Sequence, residues 1–283
     1  MSTRKIAFIT GASRGIGRGC ALELARRGFD LVLTARTVTG AERHEHSPTV
    51  QRSVTTPLPG SLEQTAAEVR ALGREALVAK LDLAARTDWA PAVEQALAHF
   101  GRIDVLVNNG RYVGPGHMDA FEDTPLPLIE QMFLCNVFAP LALIQLCLPA
   151  WKRQGGGIVI NITSAAGQTE TPAPIGKGGW GLGYSITKAA FSRMIPGLAK
   201  ELRPYRVAVI GLMPGFVATE RTSVELREYG FDPSSGLPVE NPGRVCAMLA
   251  TARDPMFFSG RDLRGPEFHA EHEQVKFDDP RDV

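Results

Sequence analysis

Short apolar runs rich in β-branched and leucine residues alternate along the chain with longer amphipathic stretches, and this rhythm predicts an α/β fold: one doubly wound parallel sheet with helices on both faces. Two further observations point the same way. The strand candidates are apolar at nearly every position, as strands covered on both faces must be. A glycine-rich turn directly follows the first of them, at the carboxyl end where an open parallel sheet takes its ligand. The 283 residues suffice for one large core, and no repeat or long linker divides them, so residues 1–283 are read as a single domain.

In chain order, the strands are expected at Lys5–Thr10, Asp30–Ala35, Glu75–Lys80, Val105–Asn108, Gly157–Ile162 and Arg206–Leu212. Amphipathic periodicity places helices at Gly17–Arg27, Ser61–Leu72, Trp89–Phe100, Leu128–Lys152 and Tyr184–Leu202. Two segments break the rhythm. Residues 37–60 are polar and dotted with proline, and residues 168–183 are rich in glycine; connections this long are mobile or functional. The stretch 266–283 is charged and contains proline, and is expected to be an irregular tail.

Composition excludes several classes. Lys and Arg number 31 against 30 Asp and Glu, a net charge of +1, so there is no basic surplus for nucleic acid. No apolar run is expected to reach the 18 or so residues of a membrane span, and Met1 to Lys5 lead into the first strand with no secretory apolar core. Cys20, Cys135, Cys147 and Cys246 form no Cys-x-x-Cys pair, which suggests reduced thiols in a cytoplasmic protein. His44 with His46, and His269 with His272, lack a third ligand at helical spacing, so no metal site is expected.

The turn after the first strand reads Thr10-Gly11-Ala12-Ser13-Arg14-Gly15-Ile16-Gly17. Its glycines let the backbone approach a pyrophosphate, and the helix that begins within it offers N–H groups and positive dipole to an anion. Strand, glycine turn and helix in this order form a dinucleotide-binding fingerprint of the Rossmann type, with Gly11, Ser13, Arg14, Gly15, Ile16 and Gly17 as the cradle. An NAD enzyme places a carboxylate at the end of the second strand for the ribose 2′-hydroxyl. Here Ala35-Arg36 stands there, and Arg36 with Arg14 suits the 2′-phosphate of NADP.

Farther along, Tyr184-Ser185-Ile186-Thr187-Lys188 puts a phenol and an ammonium on one helix face, and the nearby cation favours loss of the phenolic proton. These motifs, together with Asp82-Leu83, Asn108-Asn109-Gly110, Asn136, Ser164 after Ile160-Asn161-Ile162-Thr163, and Pro214-Gly215-Phe216-Val217-Ala218-Thr219, make the chain resemble the short-chain dehydrogenase/reductase family from about Lys5 to Glu220. The resemblance implies an NADP(H)-dependent oxidoreductase acting on a carbonyl or secondary alcohol. Tyr184 would be the acid and base, Lys188 would hold the nicotinamide ribose, Ser164 would orient the substrate oxygen, and Asn136 would hold a water that links Lys188 to solvent. Asp82 and Leu83 would meet the adenine, Asn109 and Gly110 the adenosine ribose. Pro214 and Gly215, with the backbone of Val217 and the hydroxyl of Thr219, would hold the carboxamide. The family also implies a homodimer or homotetramer and, at residues 221–241, a substrate lid with Glu225, Arg227, Tyr229 and Phe231 as candidates.

The chain departs from the family in places. Where the family reads Asn-Asn-Ala-Gly, this sequence has Asn108-Asn109-Gly110-Arg111, so Arg111 is a phosphate contact, a substrate determinant or a solvent-facing cation. Extra residues between Ser164 and Tyr184 overhang the substrate side, where Trp180 walls the pocket or packs the loop. Two other functions fit the fold: a non-catalytic protein that senses the dinucleotide, and epimerisation or dehydration on the same scaffold. The intact Asn136, Ser164, Tyr184 and Lys188 set favours the oxidoreductase.

Overall fold

The computed structural model describes residues 4–175, 177–225 and 227–272, with residues 223–225 described by their backbone alone. Seven parallel strands, β1 (Ile6–Thr10), β2 (Asp30–Ala35), β3 (Ala76–Lys80), β4 (Val105–Asn108), β5 (Gly157–Ile162), β6 (Val207–Met213) and β7 (Asp262–Arg264), form one sheet in the order β3-β2-β1-β4-β5-β6-β7. The order reverses between β1 and β4, which opens the crevice above their carboxyl ends.

The helices are α1 (Gly15–Arg26), α2 (Leu62–Ala71), α3 (Arg86–Phe100), α4 (Leu126–Phe133), α5 (Ala139–Gln154), α6 (Leu182–Leu202), α7 (Glu220–Glu225), α8 (Glu240–Thr251) and α9 (Gly265–His272). Successive residues of β1 feed two different cores, which explains its unbroken apolar run. Ala7 and Ile9 pack with Leu24 of α1 and Leu249 of α8, whereas Ile6 and Phe8 pack with Ala92 of α3, Trp151 of α5 and Ile195 of α6.

Several expectations are corrected. The single helix expected over Leu128–Lys152 is divided: α4 and α5 are joined by a π-helical turn, Leu134–Phe138, that carries Asn136. Such turns insert a residue into the helical ladder and re-aim the side chains around it. The run Leu126–Gln154 contains an 18-residue window of mean hydropathy 1.9, apolar and long enough for a membrane span, contrary to expectation; half of that window is buried inside the protein. Helix α9 occupies the first part of the expected irregular tail, and the remainder, 273–283, lies outside the described residues. The sixth strand begins at Val207 because Arg206 adopts a left-handed φ of 55° at the end of a 3₁₀ turn. Strand β7 and helix α8 were not anticipated.

The segment 37–60 is irregular in backbone yet fastened. Buried Asp119 accepts from Thr49 Oγ1 at 2.5 Å, from Val50 N at 2.9 Å and from Gly116 N at 2.9 Å, and Met118 N donates to Pro48 O at 2.8 Å. A buried carboxylate with these donors holds the loop over the carboxyl ends of the strands.

Fully buried Trp151 fills the α5 side of the sheet, and its indole N–H donates to Ile103 O at 2.9 Å. Trp151→Ala is expected to cost about 3–5 kcal/mol of unfolding free energy, measured by urea titration; a loss below about 1 kcal/mol would contradict this packing.

Candidate active site

The crevice holds a cavity of about 760 Å³. Of the residues expected to form the catalytic set or to bind the cofactor, all but Gly17 and Asn136 line it. Gly17 acts by size, because a Cβ there would stand 2.2 Å from Gly11 O. Asn109 braces the same turn through Nδ2, which donates to Thr10 O at 2.9 Å and Gly11 O at 3.2 Å.

The turn itself has the conformation an anion cradle requires. Gly11 and Gly15 have φ of 68° and 55°, values that side chains rarely tolerate. The Gly15 N–H already donates to an anion, Glu220 Oε2 at 3.0 Å, at the start of α7. Sequence reasoning missed this residue, although it directly follows Thr219. The carboxylate stands in for a phosphate oxygen and shows the donor's direction. Glycine turn, helix N-terminus and nearby cations therefore fit the pyrophosphate of a dinucleotide.

Of the two arginines expected at a 2′-phosphate, Arg14 is partly engaged: Nε donates to Pro59 O at 2.8 Å, and Nη2 to Gly60 O at 2.8 Å and Leu58 O at 3.3 Å. This fastens segment 37–60 to the glycine turn. Arg36 lines the cavity and lies in electrostatic reach of Arg14, and no carboxylate among the described residues pairs with it. Asp82, expected at the adenine, lines the cavity and accepts from Ala84 N at 2.9 Å.

At the other end, Tyr184 and Lys188 lie one turn apart on α6, both buried. Lys188 Nζ donates to Ile162 O, the last carbonyl of β5, at 2.8 Å. Burial, and then repulsion by Arg111, lower its ammonium from the ordinary 10.5 to about 7, while Asp262 opposes the shift. Ser164 follows β5, and its Oγ accepts from Ala166 N at 3.3 Å as the cap of a 3₁₀ turn. The Tyr184 ring is enclosed by His117 at 4.6 Å and Trp180 at 5.4 Å between centroids, with the Arg111 guanidinium 5.4 Å over its face. His117 is fully enclosed, so burial keeps its imidazole neutral, and cationic Arg111, Arg221 and Lys188 act in the same direction.

Asn136 sits behind this wall. Its Oδ1 accepts from Tyr112 N at 2.6 Å and its Nδ2 donates to Thr187 Oγ1 at 3.0 Å, so it clamps the segment after β4 to α6 beside Lys188. Thr219 Oγ1 accepts from Thr222 N at 3.2 Å and caps α7, and Val217 O accepts from Thr222 Oγ1 at 3.1 Å. Cys135 reaches the cavity, but burial pushes its thiol up to about 12, which removes it as a nucleophile.

Three loops roof the cavity. Gly178 N donates to Tyr229 O at 2.9 Å, Arg52 pairs with Glu228, and Trp180 packs on Phe231 at 4.4 Å. Trp180 thus both walls the cavity and packs its own loop. Of the lid candidates, Phe231 lines the cavity, Tyr229 joins the roof, Arg227 is exposed, and the Glu225 side chain lies outside the described residues.

Cavity, cradle and Tyr–Lys pair define a dinucleotide-binding α/β protein. The profile of the short chain dehydrogenase family matches residues 5–57 and 50–229, and the chain belongs to that family. Among curated relatives it is 31% identical over 262 residues to hydroxysteroid dehydrogenase-like protein 2 of Danio rerio, covering 90% of this chain and 55% of that protein. The Xenopus tropicalis protein of the same name is 28% identical, with 98% of this chain and 58% of that one covered, so the chain spans little more than half the length of these relatives. The 7alpha-hydroxysteroid dehydrogenase of Escherichia coli K12 is 26% identical over 76% of this chain and 72% of its own. Among solved structures, acetoin dehydrogenase YohF of Salmonella typhimurium superposes with a TM-score of 0.71 at 28% identity, over 93% of this chain and 95% of that one.

The lowered Lys188 ammonium carries a stability signature. The unfolded chain keeps this proton up to about 10.5 and the folded one releases it near 7, so between these values the unfolded state binds more protons and stability rises with pH. Thermal unfolding without cofactor is therefore expected to show wild type gaining on Lys188→Met from pH 7 to pH 10; parallel curves would contradict a dry ammonium.

Proposed function

We propose that the chain is an NADP(H)-preferring oxidoreductase that interconverts a small-molecule carbonyl compound and its secondary alcohol, with Tyr184 as general acid and base. The observation that carries this reading is the Tyr184–Lys188 face of α6, turned into one cavity with Ser164 and the glycine turn. When bound, the nicotinamide supplies or accepts the hydride. Tyr184 delivers its hydroxyl proton to the carbonyl oxygen in reduction and takes it back in oxidation. Ser164 Oγ, at the mouth of β5, donates to the same oxygen and orients it. Lys188 is held at the Ile162 carbonyl, where it would bind the ribose of the nicotinamide, and its positive charge favours the ionised phenol. Asn136 has Oδ1 and Nδ2 engaged by protein groups, so we assign it a positioning role, and its second Nδ2 hydrogen is left for the water that the resemblance implied. The roof of Trp180 and Phe231 excludes water from the reacting end.

The NADP preference rests on Arg36 at the end of β2, with Arg14 beside it. The next carboxylate along the chain, Glu42, turns Oε1 to the N–H groups of Val38 and Thr39, and the end of β2 itself carries no carboxylate of the kind that takes the ribose in NAD enzymes. The four cysteines are buried free thiols, in keeping with a reducing compartment such as the cytoplasm. Exposed Phe138 after α4, and Leu182 and Ile186 on α6, form an apolar face suited to pairing two copies into a homodimer or homotetramer.

Tyr184→Phe is expected to keep NADPH affinity to within about tenfold, the cost of one ribose hydrogen bond, and to lose about 10²- to 10⁴-fold in kcat on any carbonyl that wild type reduces; turnover within a few-fold of wild type would remove the assigned acid. Arg36→Asp is expected to weaken NADPH binding by about tenfold or more and to improve NADH binding, read by fluorescence titration. An unchanged ratio of the two affinities would overturn the 2′-phosphate assignment.

A further inference from the structure

Arg111 stands where the family has glycine, and its guanidinium lies half-buried in the cavity, 5.4 Å over the Tyr184 ring. One of its donors, Nη1, reaches Tyr112 O at 2.8 Å, and no carboxylate among the described residues pairs with it. Its position is fixed from behind, because Asn136 Oδ1 holds the N–H of Tyr112 at 2.6 Å and ties this segment to α6. The neighbouring charges are also positive. Arg111, Arg221 and Lys188 all act on buried His117 in the same direction.

Carboxylates around the cavity have donors of their own, Glu45 among them through Ser47 N at 2.8 Å and Val54 N at 2.9 Å. Asp262 accepts from Thr163 Oγ1 at 2.7 Å and from Gln168 Nε2 at 2.5 Å, Asp119 holds segment 37–60, and Glu220 is at the glycine turn. A cation in a half-buried site without a counter-ion attracts an anion, and the planar guanidinium fork matches a carboxylate. The dinucleotide's phosphates would have their own donors at Gly15, in the turn after β1, and at Arg36, at the end of β2 on the other side of β1 from β5. Against the same Tyr184 ring, Trp180 begins an aromatic wall that continues to Phe231 and Phe216, with successive centroids 4.4 and 6.0 Å apart.

We propose that the substrate is an oxo acid or its hydroxy acid: Arg111 binds a carboxylate one or two carbons from the reacting carbonyl, while an apolar body lies on Trp180 and Phe231. This rests on the oxidoreductase reading above and names its substrate class. Arg111 then sets specificity and orientation together, because a carboxylate held at Arg111 and a body held at Trp180 limit how the adjacent carbonyl turns beside Tyr184.

The test compares benzoylformate, its methyl ester and its amide as substrates of wild type, Arg111→Gln and Arg111→Lys, with NADPH and with NADH. Binding of mandelate and mandelamide to each protein with nucleotide present is followed by tryptophan fluorescence. Wild type is expected to favour the acid over ester and amide by about 10- to 100-fold in kcat/KM. Arg111→Gln should bring the ratio near one, and Arg111→Lys should restore part of it. Mandelate should bind more tightly than mandelamide only when Arg111 or Lys is present. Reduction of all three compounds with equal kcat/KM, or a ratio that survives in Arg111→Gln, overturns the carboxylate assignment and leaves the oxidoreductase reading standing. Loss of nucleotide affinity in Arg111→Gln with the acid preference intact overturns it too and makes Arg111 a cofactor residue. Should no carbonyl be reduced, the oxidoreductase reading falls, and mandelate binding alone decides the anion site: equal binding by wild type and Arg111→Gln ends it.

Discussion

The hydrogen bond from Lys188 Nζ to the carbonyl of Ile162 joins the sheet to the chemistry. Ile162 ends the inner strand β5, and Lys188 lies one helical turn below Tyr184, so this contact sets where α6 sits above the crevice. It also leaves an amine in a dry place. Burial weakens the amine's hold on its proton, and Arg111 weakens it further. The protein accepts a group that opposes folding at neutral pH, a pattern found where function needs the charge more than stability does.

Around that contact the structure is built in shells. The turn Gly11–Gly17 and the tether from Arg14 to segment 37–60 form one side of the crevice. Asn136 at the π-helical turn forms the back, clamping the residue after Arg111 to the residue before Lys188. The roof is contributed by three irregular segments that meet at Trp180, Phe231 and Tyr229. Two cations that matter to the chemistry, Lys188 and Arg111, therefore share one supporting amide.

Much of this was legible in the sequence, and the reasons are physical. Strands buried on both faces leave unbroken apolar runs, which is why β1, β2, β4 and β5 were found within a residue of their ends. The glycine turn and the Tyr184–Lys188 spacing are local patterns imposed by backbone geometry. Features decided by distant partners could not be read. Strand β7 is three residues with charges at both ends and exists because β6 offers it an edge, while α8 starts across Pro242 and Gly243, which read as breakers. The π-helical turn interrupts a sequence that is helical in every local respect. Among site residues, Arg111 was visible as a departure from the motif but its direction was not, and Glu220 gave no signal of its contact with the glycine turn.

The central claim is that the Tyr184 hydroxyl and the Lys188 amine converge on one nicotinamide ribose. A crystal structure of the complex with NADPH tests it most directly. The account predicts both atoms within hydrogen-bond distance of that ribose, with the nicotinamide face turned toward the Arg111 and Trp180 end of the cavity. Lys188 still bound to Ile162 alone, with the ribose out of its reach, or Tyr184 turned away from the ring, would contradict it.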